Sequence, residues 1–560
     1  MESLDFSRCR NVWVPDDSET GGFWNPPFEH VKIGVRKIVE NPYLLLADDM
    51  GLSKTAQSII AAQFLHDADV IDRVIVIAPA AVRSAVWFDP DLGQLKEQVF
   101  DDKLNMVSEY HARIRRWVNG PEDAKPLRWI VSNFEFVRDK RNLATLLQYC
   151  GPKTFLVLDE SSAVRGYDSA QTEACMILRW QTNKKGRPIL GMPRCGRILE
   201  MNGTPVAESP LDLFSQGNLL HPSILDCRYI THYKARYAVQ VPVLSSHRKD
   251  ENGKALPLKD RWNRDVMTIA SGPEGWTNLD DLTRRFAPYV LRREAKSLGI
   301  DFALPPVGFD VALSEPTWRA YQDMKREMVA WLKSGVATAA QAGVKAIRLA
   351  QMCSGFVGGV EDAGFGDAPL LAPADGIEWI GREKLDFALE LHAKWLKADP
   401  DLKLLTWCRF VPELKKYLQE EVKAFPSIPV GAACGQKVMN GIESQKAERE
   451  RALRLLHPKT APPGAATVGA TSGTGAIGLN FTACRTVLDL SYDMSPWKKR
   501  QGDARVNRPG QTGPVSFFYL VATGPKGQRT IDHHTMLRRL GKMQINDLTV
   551  AGWVKMLEEE

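Results

Sequence analysis

Short apolar runs that end in small or acidic residues recur along the chain. The clearest are Tyr43–Ala47, Val74–Ala78, Trp129–Ser132, Phe155–Leu158, Arg197–Met201, Leu404–Trp407, Val468–Thr471, Val487–Leu490 and Phe517–Val521. Runs of this length without polar alternation predict strands buried on both faces of a parallel sheet, with the intervening helix-like segments as crossovers. In such sheets the functional groups gather on loops beyond the C-terminal ends of the strands. The runs form two sets, one before about residue 225 and one after about residue 376, so the pattern predicts two α/β units.

Between the sets the texture changes. Residues 226–290 are rich in charge and turn residues, including Ser246–Gly253 and Ser271–Gly275, and read as an insertion expected to form a helical protrusion. Residues 311–356 are helix-like, Thr317–Ser334 most clearly, and 357–376 reads as a flexible connection. The expected division is a first lobe over 1–225, an insertion with the end of that lobe over 226–300, a helical protrusion and linker over 301–375, a second lobe over 376–530 and a helical brace over 531–560.

Composition narrows the class. With 44% hydrophobic and 25% charged residues the chain reads as an ordinary globular protein. No apolar run approaches the roughly 20 residues of a membrane span, and the N-terminal stretch lacks the basic head and apolar core of a secretory signal. Nine cysteines without a C-x-x-C pair argue against a zinc module or disulfide framework and fit a reducing compartment, so a cytoplasmic location is expected. The net charge of +6 permits an anionic partner without demanding one.

The first specific chemistry lies at Asp48-Asp49-Met50-Gly51-Leu52-Ser53-Lys54-Thr55, between the run Tyr43–Ala47 and the helix-compatible Ala56–Leu65. A strand–loop–helix with Gly, Lys and Thr is suited to phosphate. Backbone N–H groups and the helix N-terminus face the anion, Lys54 reaches the β/γ-phosphates and Thr55 holds Mg²⁺. Two departures stand out: Ser53 occupies the usual glycine position before the lysine, and the loop opens on Asp48. A Cβ at Ser53 is costly if its φ is positive. About a hundred residues on, Phe155–Leu158 ends in Asp159-Glu160, placing one carboxylate to hold Mg²⁺ and the other to orient and deprotonate an attacking water. Together the two features predict nucleotide hydrolysis.

Further motifs follow in order. They are Pro27–Val35, Ile77-Ala78-Pro79-Ala80 with Trp87, Ser132-Asn133-Phe134, Asn202-Gly203-Thr204-Pro205, Tyr289–Glu294 and Leu304-Pro305-Pro306. The second set carries Lys384-Leu385, Leu404–Trp407, the glycine-rich Thr471–Asn480 and Gln501–Gln511. Over nearly its whole length the chain resembles helicase superfamily two, specifically its Swi/Snf-like DNA translocases of compact phage or bacterial type. That resemblance implies an α/β fold of two RecA-like parallel-sheet lobes with helical insertions or protrusions, using ATP and Mg²⁺. It implies Gly51, Ser53, Lys54, Thr55, Asp159, Gly478 and Gln501 around the nucleotide, with Thr55 and Asp159 on the metal. Glu160, Lys54, Arg505 and Arg508 are the implied catalytic groups; the two arginines lie three apart and share one helical face or turn, from which they can neutralise charge on the γ-phosphate.

Ser132, Asn133, Thr204, Ser472, Thr474 and Asn480 are the implied nucleic-acid contacts, made to phosphates without reading sequence. The implied track is duplex DNA, followed by a monomer in company with replication, recombination or repair proteins. Val31 stands where the family has its adenine-reading glutamine. With Ser53, it motivates an alternative, a degenerate nucleic-acid-binding protein with weak turnover. A second alternative, an RNA helicase, is disfavoured by Leu291-Arg292-Arg293 and Leu304-Pro305-Pro306.

Overall fold

The computed structural model describes residues 4–539 apart from 7–8, 10–12, 16–21, 25–27, 90–92, 99–106, 112–115, 119–126, 207–208, 250–254, 271–274, 300, 334–338, 359–376, 472–478 and 494. The chain forms two compact units, Met1–Leu298 and Gly299–Glu560.

In the first unit the apolar runs become an eight-stranded sheet. Its order is Val290–Leu291, Tyr43–Leu46, Arg197–Met201, Thr154–Asp159, Arg73–Ala78, Arg128–Asn133, Val107–His111 and Arg116–Val118. Every pairing is parallel except the last. The strand Thr154–Asp159 is buried at every position, as a central strand covered on both faces must be, which is why its sequence shows no polar alternation. One face packs Leu45, Ile75, Ile130, Leu156 and Leu158 against Leu178 and Cys175 of the helix Ala170–Arg179 and Phe214 and Leu219 of the helix Asp212–Leu220. The helix Lys54–Asp67 is buried around most of its circumference and carries no narrow apolar stripe.

The insertion departs from the helical expectation. It is helical at both ends, Ile230–Tyr237 and Leu279–Phe286, but β between them. Gln240–Pro242 pairs antiparallel with Met267–Ile269, and Leu244–Lys249 pairs antiparallel with Ala255–Pro257. Charge and turn residues dominate this segment because its strands are short and solvated, so the apolar periodicity that marks a buried element is missing.

The second unit holds a six-stranded, wholly parallel sheet ordered Val307–Ala312, Ser516–Thr523, Thr486–Asp489, Lys403–Cys408, Ala466–Thr471 and Val430–Ala433. Leu404, Leu488 and Leu520 pack against Leu385 and Leu391 of the helix Glu383–Ala398 and Leu414 and Tyr417 of the helix Val411–Ala424. A satellite core joins Tyr321 and Met328 of the helix Glu315–Lys333 to Leu349 and Cys353 of the helix Ala339–Cys353. Phe356–Gly358 and Ile377–Trp379 pair antiparallel, so the two ends of the expected connection meet; residues 359–376 of it lie outside the described ones. Two parallel-sheet α/β units are thus what the apolar runs build.

Candidate nucleotide site

The strand Tyr43–Leu46 delivers the chain into the phosphate loop, and the helix Lys54–Asp67 carries it away. Two residues of the loop take left-handed backbone: Gly51 at φ 90° and Ser53 at φ 56°, ψ 35°. For a residue with a Cβ that conformation costs roughly 1–2 kcal/mol. The Ser53 side chain recovers none of it as a helix cap, and no acidic residue lies in the first helical turn. The N-cap side chain therefore does not occupy the N-terminal amides of this 14-residue helix, an arrangement that suits an anion. Lys54 Nζ donates to the carbonyls of Asp48 (2.7 Å) and Asp49 (3.0 Å), bending the ammonium over the loop. Thr55 follows on the same turn.

Asp48, which opens the loop, is fully buried and forms a forked ion pair with Arg293: Nε donates to one oxygen at 2.9 Å and Nη2 to the other. Gln57 Nε2 donates to the same carboxylate at 3.2 Å and to the Leu52 carbonyl at 2.7 Å. The backbone continues the clamp. Ala47 N–H donates to the Leu291 carbonyl, Asp49 N–H to the Arg293 carbonyl, and Ala295 N–H to the Asp49 carboxylate. The edge strand Val290–Leu291 and the two arginines that follow it thus buttress the phosphate loop, with Arg293 245 positions from Asp48. A Cβ at Gly34 would lie 1.6 Å from Gln57 Oε1, so that glycine lets the helix Glu29–Glu40 close on the same cluster. Val31 on this helix is buried at 2% exposure, facing the protein interior.

Asp159 ends its strand two places along the sheet from the phosphate-loop strand, in register with Met201, which in turn is in register with Leu46. Its Oδ2 accepts a 2.8 Å hydrogen bond from Trp87 Nε1. Trp87 is fully buried and closes a π-helical turn, Arg83–Trp87, that turns the indole toward the strand end. Such turns concentrate at functional sites. Glu160 leaves the strand in left-handed backbone, φ 60°, ψ 56°, ahead of the 3₁₀ turn Ser161–Val164. Just past the intervening strand, Asn202 N–H donates to the Leu46 carbonyl and Asn202 Oδ1 accepts from Thr204 N–H at 3.0 Å. A Cβ at Gly203 would come within 2.8 Å of Met50 Cγ, so the Asn-Gly-Thr turn abuts the phosphate loop. Beneath it, burial pushes the Glu200 carboxyl well above the usual carboxylate range. Asp48–Thr55, Asp159-Glu160 and Asn202–Thr204 thus share one edge of one sheet.

Of the expected nucleic-acid contacts, Asn133 caps the helix Phe134–Arg138, its Oδ1 accepting from Phe136 N–H at 2.6 Å. Ser132 is buried at 2% exposure, and Thr204 is half-buried. In the second unit Asn480 Oδ1 accepts from Thr482 N–H at 3.3 Å. Ser472, Thr474 and Gly478 lie outside the described residues. Gln501 is buried at 4% exposure in the helix Pro496–Asp503. Arg505 and Arg508 are half-buried in the turns that follow this helix, flanking the fully buried Val506. The Phe481 N–H donates to the Arg505 carbonyl at 2.9 Å, tying the end of the glycine-rich motif to the arginine turn. The run Lys498-Lys499-Arg500 is not a uniform basic face. Lys498 pairs with Asp493 at 2.9 Å, and Lys499, at 6% exposure, pairs with Asp503 at 2.7 Å; only Arg500 is exposed.

The roles of Trp87 and Arg293 leave no local mark in the sequence. Gln57 and Glu200 had one signal, a polar residue interrupting an apolar run.

Among the described residues no cluster of three or more His, Cys, Asp or Glu side chains could hold a metal by itself, and no helix is long and apolar enough to cross a membrane. Curated relatives include a probable ATP-dependent DNA helicase, CHR12, of Arabidopsis thaliana, 22% identical over 86% of this chain and 38% of that protein. Another is the SWI/SNF-related matrix-associated actin-dependent regulator of chromatin subfamily A-like protein 1 of Xenopus tropicalis, 24% identical over 86% of this chain and 41% of that one. The chain spans about two fifths of the length of these relatives. A solved structure, the Sulfolobus solfataricus SWI2/SNF2 ATPase core in complex with dsDNA, matches over 95% of this chain and 94% of that one at 16% identity and a TM-score of 0.36. The model of the SNF2-related domain matches residues 35–354, more than half of the sequence. The chain therefore belongs to the family of proteins built on the SNF2-related domain.

Proposed function

We propose that the chain is an ATP hydrolase of the Swi/Snf type that couples turnover to movement along duplex DNA. The observation that carries the reading is the convergence of the phosphate loop, Asp159-Glu160 and Asn202–Thr204 on adjacent strand ends of one sheet. Lys54 and the uncapped helix amides bind the triphosphate tail, and Glu160 orients and deprotonates the attacking water. Mg²⁺, when bound, neutralises charge on the β/γ-phosphates; Thr55 and the Trp87-oriented Asp159 are the groups that would hold it. Arg505 and Arg508 supply positive charge to the transition state, and Gln501 and Gly478 complete the nucleotide contacts. Asn133, Thr204, Ser472, Thr474 and Asn480 are proposed to touch DNA phosphates, with affinity that falls as salt rises; Ser132 is too buried to reach them. The names of the relatives, a DNA helicase and a chromatin regulator, support DNA as the track.

A second reading, a DNA-gripping protein with slow turnover, is favoured by the left-handed backbone at Ser53. One experiment separates the two: ATP hydrolysis with duplex DNA, single-stranded DNA, RNA or no nucleic acid, against Lys54→Ala as the blank. Stimulation by duplex DNA is expected. Rates at the blank under all four conditions would leave only the gripping role, and stimulation by RNA alone would replace DNA as the track.

A further inference from the structure

The β arm of the first unit ends in a turn that the nucleotide site does not use. Its base is fixed. Asp281 on the helix Leu279–Phe286 accepts from Tyr237 Oη at 2.9 Å and from Arg285 at 2.8 Å, and pairs with Arg236 at 3.2 Å. Asn278 Nδ2 donates to the Arg236 carbonyl at 2.8 Å, so both roots of the arm are pinned together. From this base the paired strands Gln240–Pro242 and Met267–Ile269 lead outward to the turn Asp260–Arg264.

The turn is rigidly built around one carboxylate. Asp260 Oδ1 accepts from the N–H groups of Trp262 (2.8 Å) and Arg264 (3.0 Å), and its Oδ2 accepts from Arg264 Nε at 3.0 Å. Asn263 takes the left-handed conformation that closes it, and Lys259 pairs with Asp265 at 2.8 Å just below. What this scaffold presents is an indole. Trp262 is 60% exposed, with the guanidinium carbon of Arg261 at 3.8 Å from the ring centroid and that of Arg264 at 4.8 Å. Arg264 is neutralised by Asp260, whereas Arg261 makes no ion pair among the described residues. A large aromatic held out in water on an ordered turn loses little conformational entropy when it meets a flat partner.

The surrounding charge selects that partner. Over Lys259–Asp265 three cations stand against two acids, and with Lys259 paired to Asp265 and Arg264 to Asp260 the unbalanced charge is that of Arg261, beside the indole. A polyanion with flat faces answers both features: bases stack on exposed aromatics and on guanidinium planes, and phosphates meet the spare cation.

We propose that the turn Asp260–Arg264 is a second nucleic-acid contact, in which Trp262 stacks on an unpaired DNA base and Arg261 pairs with the adjoining phosphate. This rests on the DNA-acting reading given above. It adds a preference for DNA carrying unstacked bases, such as a gap or a fork, over closed duplex.

Binding of the full chain to a fluorescent duplex capped by hairpins at both ends, and to the same duplex with a short single-stranded gap, tests it. Trp262→Ala is expected to weaken binding to gapped DNA about tenfold. Affinity for capped duplex and ATP hydrolysis without DNA are expected to be unchanged, and Trp262→Phe should recover most of the loss. Because the indole is exposed, the thermal midpoint should not move. Equal binding of gapped DNA by wild type and Trp262→Ala overturns the proposal and leaves the translocase reading intact, and would point to a protein partner for the arm. An equal loss on both DNAs also overturns it, since that is a backbone contact and not base stacking. Absence of DNA binding by the wild type overturns both readings.

Discussion

Ser53 carries a backbone conformation that favours glycine, in the loop expected to hold phosphate, and its side chain caps nothing there. Replacing it by glycine removes the Cβ penalty without losing a helix-capping hydrogen bond. Part of the gain is returned as unfolded-chain entropy, so Ser53→Gly should stabilise the first unit by up to about 1 kcal/mol, a rise of roughly 2–4 °C in its thermal midpoint. A fall in calorimetry would mean that the serine side chain holds the loop by a contact of its own. In the second unit, burial pushes the Glu413 carboxyl up to about 7, against an accepting bond from Ser491 Oγ and the nearby Lys384 ammonium, which both lower it. Between the ordinary carboxylate value of about 4.3 and about 7 the folded protein holds a proton that the unfolded chain has released. Folding stability from this group therefore falls as pH rises through that window, by at most about 4 kcal/mol, and is level above it. Glu413→Gln, neutral at every pH, should flatten the fall in thermal midpoint between about pH 5 and pH 8. An unchanged slope in the variant would assign the effect to a different group.

At the scale of elements, the π-helical turn Arg83–Trp87 matters because it orients Asp159, at the end of a strand it is distant from in sequence. Trp87→Phe keeps a buried ring but removes the donor to Asp159, a loss of about 1–3 kcal/mol in the positioning of that carboxylate. The expected result is a several-fold rise in the Mg²⁺ concentration giving half-maximal hydrolysis, with nucleotide affinity in the absence of metal little changed. An unchanged Mg²⁺ requirement would reduce the turn to a packing role. The strands themselves were legible in the sequence because a buried parallel strand leaves an uninterrupted apolar run, as Phe155–Leu158 does. The arm was not legible, since Gln240–Pro242 is exposed at every position and its partner strand nearly so. The clamp on Asp48 was hidden for a different reason. Arg293 lies 245 positions away, and no local pattern records which buried carboxylate a distant arginine will meet. The positive φ at Ser53 was foreseeable as a condition only, because the glycine position marks where strain would arise and the backbone decides whether it does.

For the whole molecule, the proposed chemistry is divided between the two compact units: Lys54, Asp159 and Glu160 belong to Met1–Leu298, and Arg505 and Arg508 to Gly299–Glu560. Binding and turnover should then separate by mutation. Lys54→Ala removes the ammonium proposed to meet the phosphates and should weaken nucleotide binding itself, read by a fluorescent ATP analogue. Arg505→Ala should leave that binding within a few-fold of wild type, because the phosphate loop, its Asp48–Arg293 clamp and the helix amides are all intact. Its hydrolysis should fall by about a thousandfold, the lower side of what a transition-state arginine supplies. The same variant should also lose stimulation by DNA, for a physical reason. If DNA acts by bringing the second unit's arginines to bear on the nucleotide, a chain lacking Arg505 has nothing left for DNA to deliver. A basal rate near wild type in Arg505→Ala would place all of the catalytic groups in the first unit. A low basal rate that DNA still multiplies by the wild-type factor would show instead that DNA acts on the first unit directly, with the second serving as a grip.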